Sequence, residues 1–124
     1  MTVVGTPYYM SPEVCKSEPY SAKSDVWALG CILYELCTLK KAFEADNLLG
    51  LVYKIVMDPV KPLEKELGFS DEMQSLINLL LQKDPIKRPS IHEILKMDMV
   101  KSKMRDFVKQ KGQTRDVCTI VKKN

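Results

Sequence analysis

The chain has 124 residues, 28% of them charged and 45% hydrophobic, with 19 Lys+Arg against 16 Asp+Glu for a formal charge of +3. That is the length of one ordinary domain and a globular composition, not a disordered one, and the small charge argues against the dense basic face of a nucleic-acid binder. The longest apolar stretch, Val26 to Leu39, is interrupted by Glu35 and falls short of the about 20 residues that span a bilayer; the N-terminus MTVVGTPYYM has no basic region ahead of an apolar run. The expectation is a cytoplasmic protein with no nucleic-acid or membrane partner.

Residues 1–21, with Pro7, Pro12 and Pro19 among Ser, Thr and Tyr, read as loop with one short helix. Ser21 or Ser24 can cap a helix starting near Lys23, with Asp25 in its first turn where a carboxylate favours the dipole. From Val26 to Cys37 only Glu35 is charged, so this helix is apolar nearly all round and should lie at the centre of a core. Leu48, Leu51, Val52 and Ile55 then recur at helical spacing, up to Pro59. Ser70 caps a third helix with Asp71 and Glu72 in its first turn and Met73, Leu76, Ile77 and Leu80 as its stripe, and Asp84-Pro85 ends it. Ser90 to Glu93 has the form of a capping box and opens a fourth helix, which continues over Met97 to Gln110 with Met99, Val100, Met104, Phe107 and Val108 apolar. The tail after Gly112 is polar and reads as loose. No strand is predicted, and the fold class is all-α.

The four cysteines, at 15, 31, 37 and 118, form no Cys-x-x-Cys pair, and His92 is the one histidine, so no zinc site is predicted. Cys31 and Cys37 fall in the most apolar stretch and read as reduced structural thiols. Cys118-Thr-Ile-Val would resemble a prenylation box, but Lys122-Lys123-Asn124 follow it. His92 reads as a partly exposed helix residue.

GTPYYMSPE at 5–13, SDVWALG at 24–30 and LLLQKDPIKRPS at 79–90 stand in this order with helical spacers. Together they resemble the C-terminal half of a eukaryotic protein kinase catalytic domain, and the variants resemble the NIMA-related (Nek) serine/threonine kinases most. The resemblance covers about residues 2–100 and implies a helical C-lobe of the kinase fold. It makes 1–21 the end of the activation segment with the peptide-docking loop and an A-P-E-like motif, 22–100 the C-lobe helices, and 101–124 a helix extension and tail.

By the same resemblance Ser11-Pro12-Glu13 corresponds to A-P-E. Thr6, Pro7, Tyr8 and Tyr9 fall in the loop that holds the substrate peptide; alone, Gly5-Thr6-Pro7 is an ordinary turn. Glu13 and Arg88 match the family's buried ion pair, where a guanidinium fork suits a carboxylate; alone, they are two surface charges. Asp25 matches the aspartate that anchors the catalytic loop, a role compatible with the dipole effect. Thr2 stands where these kinases often carry an activating phosphothreonine. Trp27 and Gly30 are assigned to core packing and close helix approach, with no chemistry.

Kinase phosphoryl transfer requires a Gly-rich loop, a strand Lys, H-R-D with its Asn, and D-F-G. The glycines here are at 5, 30, 50, 68 and 112, His92 is followed by Glu93-Ile94, and Asp106-Phe107-Val108 is not D-F-G. ATP and Mg are therefore implied for a parent kinase and no cofactor for this chain, which should transfer no phosphate alone. The topology reads as cut, with part of the 26–37 surface exposed and Met1 an internal methionine of a longer kinase. Two readings stay open: a piece of such a kinase, binding protein substrate, or a short interaction module that binds kinase partners or substrates.

Overall fold

In the computed structural model, which describes residues 6–113, each helix start in the first ninety residues is set by a short polar side chain. Ser11 accepts a hydrogen bond from the Val14 N–H at 3.4 Å and, with Pro12 in the first turn, starts α1 (Pro12–Cys15). At α2 (Ala22–Thr38) both candidate serines act in one capping box: the Ser21 hydroxyl accepts from Lys23 N–H at 3.2 Å, and the Ser24 hydroxyl accepts from Ser21 N–H at 3.2 Å. Asn47 caps α3 (Leu48–Met57) by accepting from Gly50 N–H at 2.7 Å, and Ser70 caps α4 (Asp71–Leu80) by accepting from Met73 N–H at 3.2 Å. A 3-10 turn, Lys65–Leu67, lies between these two, and another, Pro85–Lys87, follows α4. No strand occurs among the described residues.

Helix α2 is the centre of this region. Val26, Trp27, Gly30, Cys31 and Tyr34 are buried, and Trp27, Cys31 and Tyr34 join Phe43, Leu51, Ile55, Ile77 and Leu81 in one core. Trp27 and Phe43 stack with ring centroids 5.5 Å apart, a geometry aromatic pairs favour. Gly30 permits the close approach expected of it: a Cβ there would stand 2.8 Å from Leu80 Cβ and 2.9 Å from Leu81 Cδ2. The apolar sequence of α2 is buried on one side only, since Leu29, Ile32 and Leu36 are exposed, Leu36 by 71%. The expected exposed part of the 26–37 surface is these three residues.

Two helix boundaries differ from the sequence reading. Helix α4 stops at Leu80, before the Asp84-Pro85 breaker: Gln82 N–H bonds back only three residues, to Leu79, and beyond it the carbonyls of Gln82 and Lys83 accept hydrogen bonds from the Arg88 guanidinium at 2.7 and 3.2 Å. The predicted continuous helix after Ser90 is two helices, α5 (Ile91–Leu95) and α6 (Asp98–Gln113). Between them Lys96 and Met97 bond back three residues, to Glu93 and Ile94, a tighter turn than the α-helix, and Asp98 opens α6 with a carboxylate at its positive end.

The chain divides into two compact units, one up to Ser90 and one from Ile91. In the first, α1 packs on α3 and α2 on α4; in the second, α5 packs on α6. No described helix is long and apolar enough to cross a membrane. Cys15 and Cys37 are half-buried and Cys31 buried, all three as free thiols; burial pushes the Cys31 thiol up to about 12, which keeps it unreactive. Cys118 and the predicted loose tail lie outside the described residues, apart from the end of α6.

Candidate functional site

Glu13 is placed by the single turn of α1, and Arg88 by the end of the Pro85–Lys87 turn. Both are buried, at 3% and 1% exposure, and their side chains meet fork to fork: one guanidinium nitrogen donates to Glu13 Oε2 at 2.9 Å and the other to Oε1 at 2.5 Å. A guanidinium has five N–H donors. The remaining three go to the backbone carbonyls of Lys23 at 2.6 Å, Gln82 at 2.7 Å and Lys83 at 3.2 Å. Every donor of Arg88 is thus used, which is what a buried charge requires.

Around this pair stand partners that sequence reasoning missed. Ser24 has a second role besides capping: its hydroxyl donates to Glu13 Oε2 at 2.9 Å, so the start of α2 is bonded to the carboxylate. Lys23 accepts from Arg88 through its carbonyl and donates to the Arg88 carbonyl through Nζ. Burial pushes the Glu13 carboxyl upward, but the bonds from Arg88, its own backbone and Ser24, together with the Arg88 charge, outweigh it and hold the group at about 2. Glu13 is therefore ionised at neutral pH.

Below the pair lies the aromatic core. The Arg88 guanidinium carbon is 5.2 Å from the Trp27 ring centroid, and Lys83 Nζ is 5.2 Å from that ring and 4.5 Å from the Phe43 ring. Lys83 closes the end of α3: its ammonium donates to the carbonyls of Lys54 at 3.3 Å, Ile55 at 2.6 Å and Asp58 at 2.5 Å. Helix carbonyls at a C-terminus lack intrahelical partners and favour a cation. Burial pushes Lys83 down to about 8, the nearby Asp58 charge opposing it.

The loop ahead of Glu13 is tied to the other end of α2. Thr6 and Pro7 are half-buried, and turns link Thr6 to Tyr8 and Pro7 to Met10. Tyr9 Oη donates to Glu35 Oε1 at 2.6 Å, Lys41 Nζ donates to Tyr9 Oη at 3.0 Å, and Lys41 meets both Glu35 oxygens at 3.2 Å. The same ammonium lies 4.9 and 5.1 Å from the Tyr8 and Tyr9 ring centroids. Glu35 was visible in the sequence as the one charge in an apolar helix; Lys41 carried no such signal.

The structure thus brings Glu13 and Arg88 together and sets Tyr8 and Tyr9 in one cluster with Glu35 and Lys41. It leaves Asp25 exposed on the first turn of α2, its carboxylate without a hydrogen bond among the described residues. Thr2 lies outside the described residues. His92 is exposed on α5. Among the described residues no group of three or more His, Cys, Asp or Glu side chains could hold a metal.

Residues 1–100 match the protein kinase domain family. The chain is 43% identical over 117 residues to the serine/threonine-protein kinase Nek1 of Mus musculus, which covers 94% of this chain and 10% of that protein. It is 55% identical over 95 residues to Nek5 of Homo sapiens and 53% over 94 residues to Nek8 of Danio rerio, covering 77% and 76% of this chain and 13% of each relative. The chain spans between about a tenth and an eighth of these three curated relatives. With the helical architecture and the matched residues taken together, the chain belongs to the protein kinase domain family, as helical C-lobe sequence similar to that of the Nek serine/threonine kinases.

Proposed function

We propose that this chain is the substrate-docking and scaffold part of a Nek-like serine/threonine kinase, whose full catalytic domain transfers the γ-phosphate of ATP to protein Ser or Thr hydroxyls. The observation that carries this reading is the 6–13 segment held at two points, by Glu13 on Arg88 and by Tyr9 on Glu35 and Lys41. A docking edge fixed before the peptide arrives loses less entropy on binding, and positioning is most of what a kinase supplies. In this reading Thr6, Pro7, Tyr8 and Tyr9 meet the substrate peptide and Thr2 is the regulatory phosphosite. Asp25, whose carboxylate is exposed, anchors the catalytic loop of the parent.

In this reading ATP and Mg belong to the parent's catalytic domain, because the sequence here has no glycine-rich loop, H-R-D or D-F-G. No phosphoryl-transfer step is assigned to this chain, and its partner is a protein substrate or another kinase. The parent acts in the cytoplasm, with the centrosome, cilium or nucleus as further sites by family resemblance. The test is phosphate incorporation into a generic protein substrate by the purified 124-residue chain with ATP and Mg. None is expected; incorporation abolished by chelating magnesium would overturn the assignment of silence.

A second reading, a non-enzymatic interaction module, is favoured by the exposed Leu29, Ile32 and Leu36 on α2. The mass of the endogenous product separates the two. A product well above 14.2 kDa with kinase motifs upstream supports the first, and a stable 14.2 kDa product with a defined partner supports the second.

A further inference from the structure

Most of α6 lies beyond residue 100, where the kinase family match ends, and the docking edge makes no use of it. Val100, Met104 and Val108 recur every fourth residue, and Lys101, Arg105 and Lys109 recur at the same spacing one position on. On a helix this lays a row of cations alongside a row of apolar side chains. Within the unit that begins at Ile91, an open groove of about 590 Å³ is lined by Leu95, Lys101, Met104, Arg105, Val108 and Lys109. Its apolar lining is open to solvent, with Leu95 46%, Met104 49% and Val108 65% exposed. The three cations are exposed as well, and no ion pair engages them among the described residues.

We propose that this groove docks an acidic amphipathic segment of a partner protein, its apolar face on Leu95, Met104 and Val108 and its carboxylates along Lys101, Arg105 and Lys109. Charge selects the occupant. A second copy of the chain would set the same cation row against itself. Residues 114–124, with Arg115, Lys122 and Lys123 against Asp116 alone, carry the sign of the groove. An anionic bilayer would satisfy the charge, but a helix that lies on a membrane presents its apolar face outward to a flat surface. Here Lys101, Arg105 and Lys109 line the same opening as Leu95, Met104 and Val108, so one narrow segment meets the charge and the apolar area together, as in helix-in-groove recognition.

The test is fluorescence anisotropy with the full 124-residue chain. The probe is a labelled helical peptide of about four turns, with Leu at every third or fourth position and Glu along one flanking edge. Saturable binding is expected, weakening as salt is raised. A probe with Lys in place of Glu should bind at least about tenfold more weakly, as should the probe to Met104→Glu or to the triple variant Lys101→Gln, Arg105→Gln, Lys109→Gln. Circular dichroism establishes that each variant keeps its helix content, and the triple Gln variant removes charge without inserting any. Equal binding of the Glu and Lys probes, or undiminished binding to the triple variant, would overturn the proposal. So would tighter partition onto phosphatidylserine vesicles than onto the peptide, or a dimer whose formation excludes the probe.

Discussion

Two carboxylate–cation contacts hold the segment from Thr6 to Glu13, and they differ in almost everything but charge. Glu13 and Arg88 have side chains 4% and 0% exposed, two parallel hydrogen bonds, and further partners that exhaust the guanidinium. Glu35 and Lys41 are 33% and 30% exposed and share their contact with one phenol. In the first, water is excluded, so each donor and oxygen needs a protein partner, and removing one partner strands the others. In the second, water and salt replace what is lost. The buried pair is therefore an anchor for the fold, and the exposed pair tunes the position of the loop.

The largest break in this comparison is Arg88→Ala. It leaves the Glu13 carboxylate buried without a counter-charge and three carbonyls without their donor, and a loss of about 3–5 kcal/mol is expected, read as a fall in melting temperature or in the denaturant midpoint. Arg88→Lys should recover only part of it, since one ammonium cannot serve five acceptors held in a planar fork.

Acid comes next. The Glu13 carboxyl titrates near 2 when folded, below its ordinary 4.5. Between these values the unfolded chain binds more protons, so the stability from Glu13 is complete above pH 4.5 and is lost as the pH falls toward 2. The shift corresponds to about 3 kcal/mol. Urea unfolding across that window checks it, and the step should shrink in Arg88→Ala, where the bonds that lower the carboxyl are gone.

Gly30→Ala should cost about 1–3 kcal/mol by overpacking, since the new methyl meets Leu80 Cβ, which is fixed to its backbone. Better helix propensity offsets part of this, to be read in the same unfolding experiment. Lys41→Ala and Tyr9→Phe should scarcely move the melting temperature. Their effect should appear as faster amide exchange in residues 6–10; unchanged exchange would mean that the exposed pair does not position the loop.

Periodicity and capping residues made most of the fold legible. The starts of α2, α4 and α5, the buried position of Trp27 and the close approach at Gly30 all follow from local chemistry. The pairing of Glu13 with Arg88 was available only through family resemblance, because nothing in either residue's neighbourhood points to a partner 75 positions away. Hidden from any sequence pattern was the routing of carbonyls. Gln82 and Lys83 accept from Arg88 just past the end of α4, and Lys54, Ile55 and Asp58 accept from Lys83. Every residue has a carbonyl, so its use is decided by tertiary approach alone. Ser24 was legible as a cap and not as a ligand of Glu13, for the same reason.

The stacked ring beneath the anchor has an optical consequence. Trp27 is the one tryptophan of the chain, fully buried, packed on Phe43, and within 5.2 Å of both the Arg88 guanidinium and the Lys83 ammonium. An indole in such a site emits at shorter wavelength than one in water, and its emission responds to cations placed against its face. The protein thus carries its own fluorophore at the point where α1, α2 and the residues after α4 are tied together. A change at Glu13, Arg88 or Lys83 can be read as a shift in the colour of a single residue, before any label is attached.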